Sequence, residues 1–222
     1  MRFFFIIFLL FTDWILAQDL EIEIPDKRIE LTSENRVNLC YKIKNNSTKY
    51  YKVLADSTGF STGENEAIDE PFLGLLNIRI FDGKNLLYPT SGFYGYQKNA
   101  RQISTSTQEL IKFKELHQLN FKHDYELSIY HDIYKRIVNI PPKGNVNLCT
   151  KIGLPIYRSA TDDGSLFYDI KNQKEYNLQL HLNIPSQMVR KYTKILNKEP
   201  EKYKIFSGEI SSNKVNIILV DK

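Results

Sequence analysis

Proton transfer near neutral pH and transition-metal binding both call for histidine, and the chain has four: His117, His123, His131 and His181. Three of them fall with Asp124 and Asp132 into the stretch His117–Asp132, which makes a metal site conceivable. Neither His-Glu-x-x-His nor a cysteine pair at zinc spacing occurs. The segment is therefore expected to carry surface histidines in a loop-rich region, with metal binding as the alternative. His181 shares the polar parity of an alternating segment and is expected to be solvated.

A serine nucleophile needs an adjacent base and an exposed position. No Gly-x-Ser-x-Gly elbow is present, and Ser211-Ser212-Asn213-Lys214 meets Ser-x-x-Lys only in spacing, because Gly208 and Asn213 already explain a turn there. No catalytic residue, resident metal or cofactor is assigned. Asp56, Glu64, Glu66, Asp69 and Glu70 gather carboxylates without the alternating order of a calcium loop, and read as a mobile acidic loop. Asp162-Asp163-Gly164-Ser165 reads as a hairpin turn. The aromatic residues Tyr88, Phe93, Tyr94 and Tyr96 lie in a Gly-containing stretch and are the candidate binding residues. Exposed on a loop, their rings suit stacking on a sugar or contact with a peptide; filling one end of the core is the competing account.

The elements that would position these groups are mainly strands. Period-two alternation runs through Leu20-Ile22-Ile24, Val37-Leu39-Tyr41-Ile43, Leu76-Ile78-Ile80, Tyr176-Leu178-Leu180-Leu182-Ile184 and Val215-Ile217-Leu219. Such strands put one face on a core and the other in water, as antiparallel sheets do. Asp82-Gly83 after the third run is a hairpin signal. One region breaks the pattern: 107–119 is rich in helix formers, with Leu110, Phe113 and Leu116 at every third position. Residues 124–136 fit helix or strand equally, so 93–135 is expected to be a connection bearing a short helix. The fold class that follows is all-β, an antiparallel β-sandwich with a helical insertion.

The two cysteines sit in near-identical heptapeptides, Val37-Asn38-Leu39-Cys40-Tyr41-Lys42-Ile43 and Val146-Asn147-Leu148-Cys149-Thr150-Lys151-Ile152. Tandem duplication would leave similar flanks, and these differ. As two strands of one sheet, both segments turn Val and Leu inward and Cys outward with Asn and Lys. Antiparallel neighbours would then bring Cys40 and Cys149 within disulfide reach.

The first 17 residues set an expected location. Arg2, the unbroken apolar run 3–11 and Ala17 compose a signal-peptide pattern that is too short for a membrane span. Cleavage near Ala17 would export residues 18–222, as one domain, to the periplasm or the exterior. Export favours a Cys40–Cys149 disulfide. No later stretch approaches ~18 consecutive apolar residues, so no transmembrane anchor is expected in the mature chain. With 42% hydrophobic and 25% charged residues the composition is that of a globular chain, not a disordered one. The net charge of +4 comes from basic residues scattered through the strand-like segments, which argues against a nucleic-acid partner.

Three segments resemble bacterial secreted immunoglobulin-like domains. Residues 203–217 (YKIFSGEISSNKVNI) look like the closing strand of such a domain, Val37–Ser47 is similar to the second, and 138–156 resembles the fifth, which pairs with the second. The resemblance implies an immunoglobulin-like sandwich in the cell envelope, with Cys40 near Cys149, and carries no activity. The resulting expectation is a non-enzymatic module that binds an envelope protein or glycan through loops. A secreted hydrolase using carboxylates or a His-bound metal, and a protease-inhibitor-like sandwich, are the alternatives.

Overall fold

The structure, a computed structural model, describes residues 18–32, 36–62, 72–92, 105–121, 123–154, 156–157, 165–168, 170–171, 174–196 and 203–220. The expected signal peptide (1–17), Phe93, Tyr94, Tyr96, the carboxylates Glu64 to Glu70 and the turn 162–164 lie outside them. In chain order the strands begin with β1 (Leu20–Glu23), β2 (Arg28–Leu31), β3 (Val37–Asn45), β4 (Tyr50–Leu54) and β5 (Asp56–Ser61). They continue with β6 (Leu75–Asp82), β7 (Asn85–Leu86) and β8 (Thr90–Gly92), then helices α1 (Thr107–Leu116) and α2 (Asp124–Lys135). After these come β9 (Ile137–Ile140), β10 (Asn145–Ile152), β11 (Ile156–Tyr157), β12 (Ser165–Tyr168) and β13 (Tyr176–Ile184). Helices α3 (Ser186–Lys191) and α4 (Thr193–Leu196) precede β14 (Tyr203–Ile205), β15 (Gly208–Ser211) and β16 (Val215–Leu219).

The chain is mostly β. One sheet has the order β1-β3-β10; a larger one runs β2-β16-β13-β6-β5, with β15 also on β13 and β7 on β6. Two smaller sheets are β14-β4-β9 and β11-β12-β8. The inward residues of both main sheets, among them Leu39, Tyr41 and Ile43 from β3 and Leu178, Leu180 and Leu182 from β13, join one buried cluster. Alternation placed these residues correctly. Asp82-Gly83 also makes its hairpin, between β6 and β7, with Gly83 at φ +60.

Two expectations need correcting. The pairings are not all antiparallel: β2–β16, β4–β14 and β5–β6 are parallel. Side-chain alternation reports which face a residue takes and is silent on strand direction. The insertion also carries two helices rather than one. The ambiguous stretch became α2, with Asp124 and Glu126 in its first turn, Lys135 in its last, and Leu127, His131 and Ile133 buried. Beyond the insertion, α3 and α4 follow β13.

Cys40 and Cys149 are directly opposed in the antiparallel β3–β10 ladder and form a disulfide, with Cα atoms 4.1 Å apart. As expected from parity, both sulfurs belong to the outer face: Cys40 is half-buried and Cys149 exposed.

At the other end of β3, Asn45 is 1% exposed and ties three segments together. Its Nδ2 donates toward the carbonyls of Lys49 (2.6 Å), Pro141 (2.9 Å) and Ile140 (3.3 Å), while its Oδ1 accepts from Ser47 N and Oγ. A buried amide so fully engaged fixes both turns that it joins.

Candidate functional site

The odd-numbered residues of β13 form the polar face of the larger sheet. Cross-strand register sets Ser61, Asn77, His181 and Ser211 in one row over β5, β6, β13 and β15. His181 is only 7% exposed, so the solvated position expected for it is wrong. Alternation assigned the correct face, and side chains of β15 lie against the imidazole there. Its Nδ1 lies 2.9 Å from Ser211 Oγ, and its Nε2 lies 3.8 Å from Glu209 Oε2. Glu209 is steadied by Asn183 Nδ2, which donates to Oε1 over 3.2 Å.

A hydroxyl beside an imidazole beside a carboxylate is the pattern of an activated nucleophile. Acyl transfer also needs donors aimed at a developing oxyanion, and the groups next to Ser211 have other partners. Ser212 N donates to Leu180 O (2.8 Å), and Ser212 Oγ accepts from Leu180 N (2.9 Å). Asn213 clasps Ile24 from both ends of its amide, accepting from N (2.8 Å) and donating to O (3.0 Å). Lys214 Nζ stands 3.4 Å from the centre of the Phe81 ring. The Ser-x-x-Lys spacing therefore does not become a serine–lysine pair; the Ser212 bonds fasten the segment to β13, and the Asn213 bonds hold the approach to β16 against the end of β1.

The histidines of the insertion are likewise not the surface residues expected. His117 and His131 are each 4% exposed; only His123, at the start of α2, faces solvent. Their burial comes from α1 packing on α2 around Phe113, whose ring centre is 4.5 Å from that of His117 and 4.9 Å from that of His131. Tyr134 closes the cluster at 4.7 Å from His117. His131 Nε2 is 3.2 Å from Glu109 Oε1, which Lys135 Nζ also meets at 2.9 Å. Ser106 caps α1 by accepting from Glu109 N. Among the described residues no group of three or more His, Cys, Asp or Glu is placed to hold a metal ion.

Burial holds the His131 imidazole below its ordinary pKa with help from Lys135, and Glu109 and Asp132 offset this only in part. The folded state thus keeps His131 neutral where the unfolded chain, at about 6.5, begins to take up a proton. Its stabilising effect is complete above that pH and is lost as pH falls through the folded value. Thermal unfolding between pH 7.5 and 5 is expected to show a falling midpoint, and His131→Gln to flatten that slope. Glu109, whose pKa is lowered first by Lys135, loses its share only in the more acidic carboxylate range.

The acidic stretch divides at its first member. Asp56 opens β5, is 5% exposed and meets Arg136 Nε at 2.8 Å through Oδ2, while its Oδ1 accepts from Thr58 N and Oγ1. Asp56 is thus the buried carboxylate of an ion pair with the half-buried Arg136, not part of a mobile acidic loop. Arg136 also donates to Leu73 O (2.9 Å). Gly74 follows at φ +92, where an added Cβ would come within 3.2 Å of the Leu54 carbonyl carbon. Sequence reasoning missed Arg136, because nothing local marks a lone arginine as the partner of a distant aspartate.

Of the aromatic candidates, Tyr88 is described and is 80% exposed, on the connection from β7 to β8. No family model matches the chain, and no curated protein matches it.

Proposed function

We propose that the chain is an exported immunoglobulin-like module, not an enzyme, that binds a protein or glycan of the cell envelope. The strand order supports the fold. Neighbours β3 and β10 correspond to the second and fifth strands of such domains, and β6, β13 and β16 to the third, sixth and seventh, on the other sheet. Among the described residues no helix is long and apolar enough to cross a membrane, in keeping with a mature chain that lacks a helical anchor.

The observation that carries the binding reading is Tyr88, a large ring presented to solvent between strands of two different sheets. Loops on a rigid framework are where recognition concentrates, and an exposed tyrosine supplies contact area at low entropic cost. Tyr88→Ala is expected to weaken capture of envelope protein or polysaccharide at least tenfold, the scale of an aromatic hot spot, with the thermal midpoint unchanged. Equal capture by both proteins would remove Tyr88 from the site.

A serine-hydrolase reading, different from the carboxylate or metal hydrolase expected as the alternative, would draw on the Ser211–His181 contact, and the engaged groups around Ser211 argue against it. A fluorophosphonate probe separates the two readings: labelling at Ser211 would favour the hydrolase.

A further inference from the structure

We propose that the Cys40–Cys149 bond is a thiol–disulfide exchange site, open in the folded protein to an external dithiol. The inter-sheet disulfide typical of immunoglobulin domains is buried in the core. This one joins neighbouring strands of a single sheet and faces outward, with Cys149 exposed and Cys40 half-buried.

Exchange requires a thiolate to approach in line with the breaking bond, from behind the attacked sulfur. The bond links β3 to β10, and β10 is the last strand in the order β1-β3-β10. Cys149 is exposed on that last strand, whose outer edge pairs with no described strand, and is the sulfur a reagent reaches first. The incoming thiolate forms a mixed disulfide with Cys149, and Cys40 leaves as a thiolate carrying the electron pair of the broken bond. The second thiol of the reagent then attacks the mixed disulfide and frees Cys149. In balance, the protein disulfide gains two electrons and two protons, and the dithiol becomes a disulfide.

Charge favours the leaving group. The outer-face positions flanking the bridge on the two strands are Asn38, Lys42, Asn147 and Lys151, two cations and no carboxylate. Nearby lysines lower a thiol pKa, and a lower leaving-group pKa speeds exchange. Glu23 stands opposite Lys42, but its carboxylate is drawn to Lys44 Nζ at 2.5 Å. Register on both sides of the bridge, from Val37↔Ile152 to Lys44↔Asn145, leaves the strands paired when the bond opens.

The test exposes the folded protein to dithiothreitol at pH 7.5 without denaturant, alkylates at intervals and counts labels by mass. The expected course is two alkyl groups per chain, with the strand circular-dichroism signal retained. The rate should be the same in the wild type and in Arg136→Met, a destabilised protein. Were the bond reachable only through global unfolding, the wild type would react at least about a thousandfold more slowly than its urea-unfolded form. Arg136→Met would then accelerate labelling by a hundredfold or more, and either result overturns the proposal. Replacing Lys42 and Lys151 with Gln is expected to slow exchange severalfold; an unchanged rate would overturn the part assigned to the two cations.

Discussion

Arg136→Met is expected to lower the unfolding free energy by about 3–5 kcal/mol, the range for removing one partner of a buried ion pair. The cost comes from what stays behind. Asp56 would be left buried, with the two Thr58 donors as its remaining hydrogen-bond partners among the described residues. Leu73 O would also lose its donor at a tight crossing of Gly74 over β4. Urea unfolding should show a lower midpoint at an unchanged slope, because the native and unfolded ensembles expose the same surface as before. Adding Asp56→Leu to Arg136→Met should restore part of the loss, since the stranded charge and not the missing attraction dominates the cost. A single variant within 1 kcal/mol of the wild type would show that water reaches the pair.

Cys40→Ser with Cys149→Ser is expected to cost a similar amount by a different route. The bridge closes a loop between residues 109 apart in sequence, and loops of ~100 residues correspond to about 4.7 kcal/mol on the chain-entropy account. For a domain of this size that lowers the thermal midpoint by roughly 10–20 °C. The native sheet loses only one cross-strand contact on its wet face, so the effect lies in the unfolded chain, which becomes less compact without the link. The urea slope should therefore rise in the double serine variant, whereas Arg136→Met leaves it alone. A stability loss with no change in slope would place the effect in the folded state instead.

What was legible in the sequence is what side-chain parity encodes. The alternation of β3 and β13 assigned their inward residues, and matching parity, together with the expected export and the resemblance of the two segments to paired strands, pointed to a Cys40–Cys149 bridge. Three kinds of information were not local. Strand direction left no mark, so the parallel placement of β2 beside β16 was unforeseen. In α2, β-branched and aromatic residues such as Ile129, Tyr130, Ile133 and Tyr134 suit either backbone, and packing against α1 and the core selects the helix. The enclosure of His181, His117 and His131 depends on neighbours far along the chain, and composition makes histidine neither a core nor a surface residue. The aromatic stretch was legible as a candidate, and of its members Tyr88 is the one whose exposure the structure describes.

The buried amide of Asn45 bears on how the protein can be produced. Asn45-Asn46-Ser47 and Asn46-Ser47-Thr48 are overlapping acceptor signals for N-linked glycans in a eukaryotic secretory pathway. Sugar attached to Asn45 Nδ2 before folding would remove the donor that serves Lys49, Ile140 and Pro141 and would place a bulky group where no space exists. At Asn46, whose side chain donates to the exposed Glu21 carboxylate, the same attachment leaves the turn intact. A yeast or insect-cell preparation would therefore divide into a folded population modified at Asn46 and a misfolded one modified at Asn45, while Asn46→Gln would leave only the damaging acceptor.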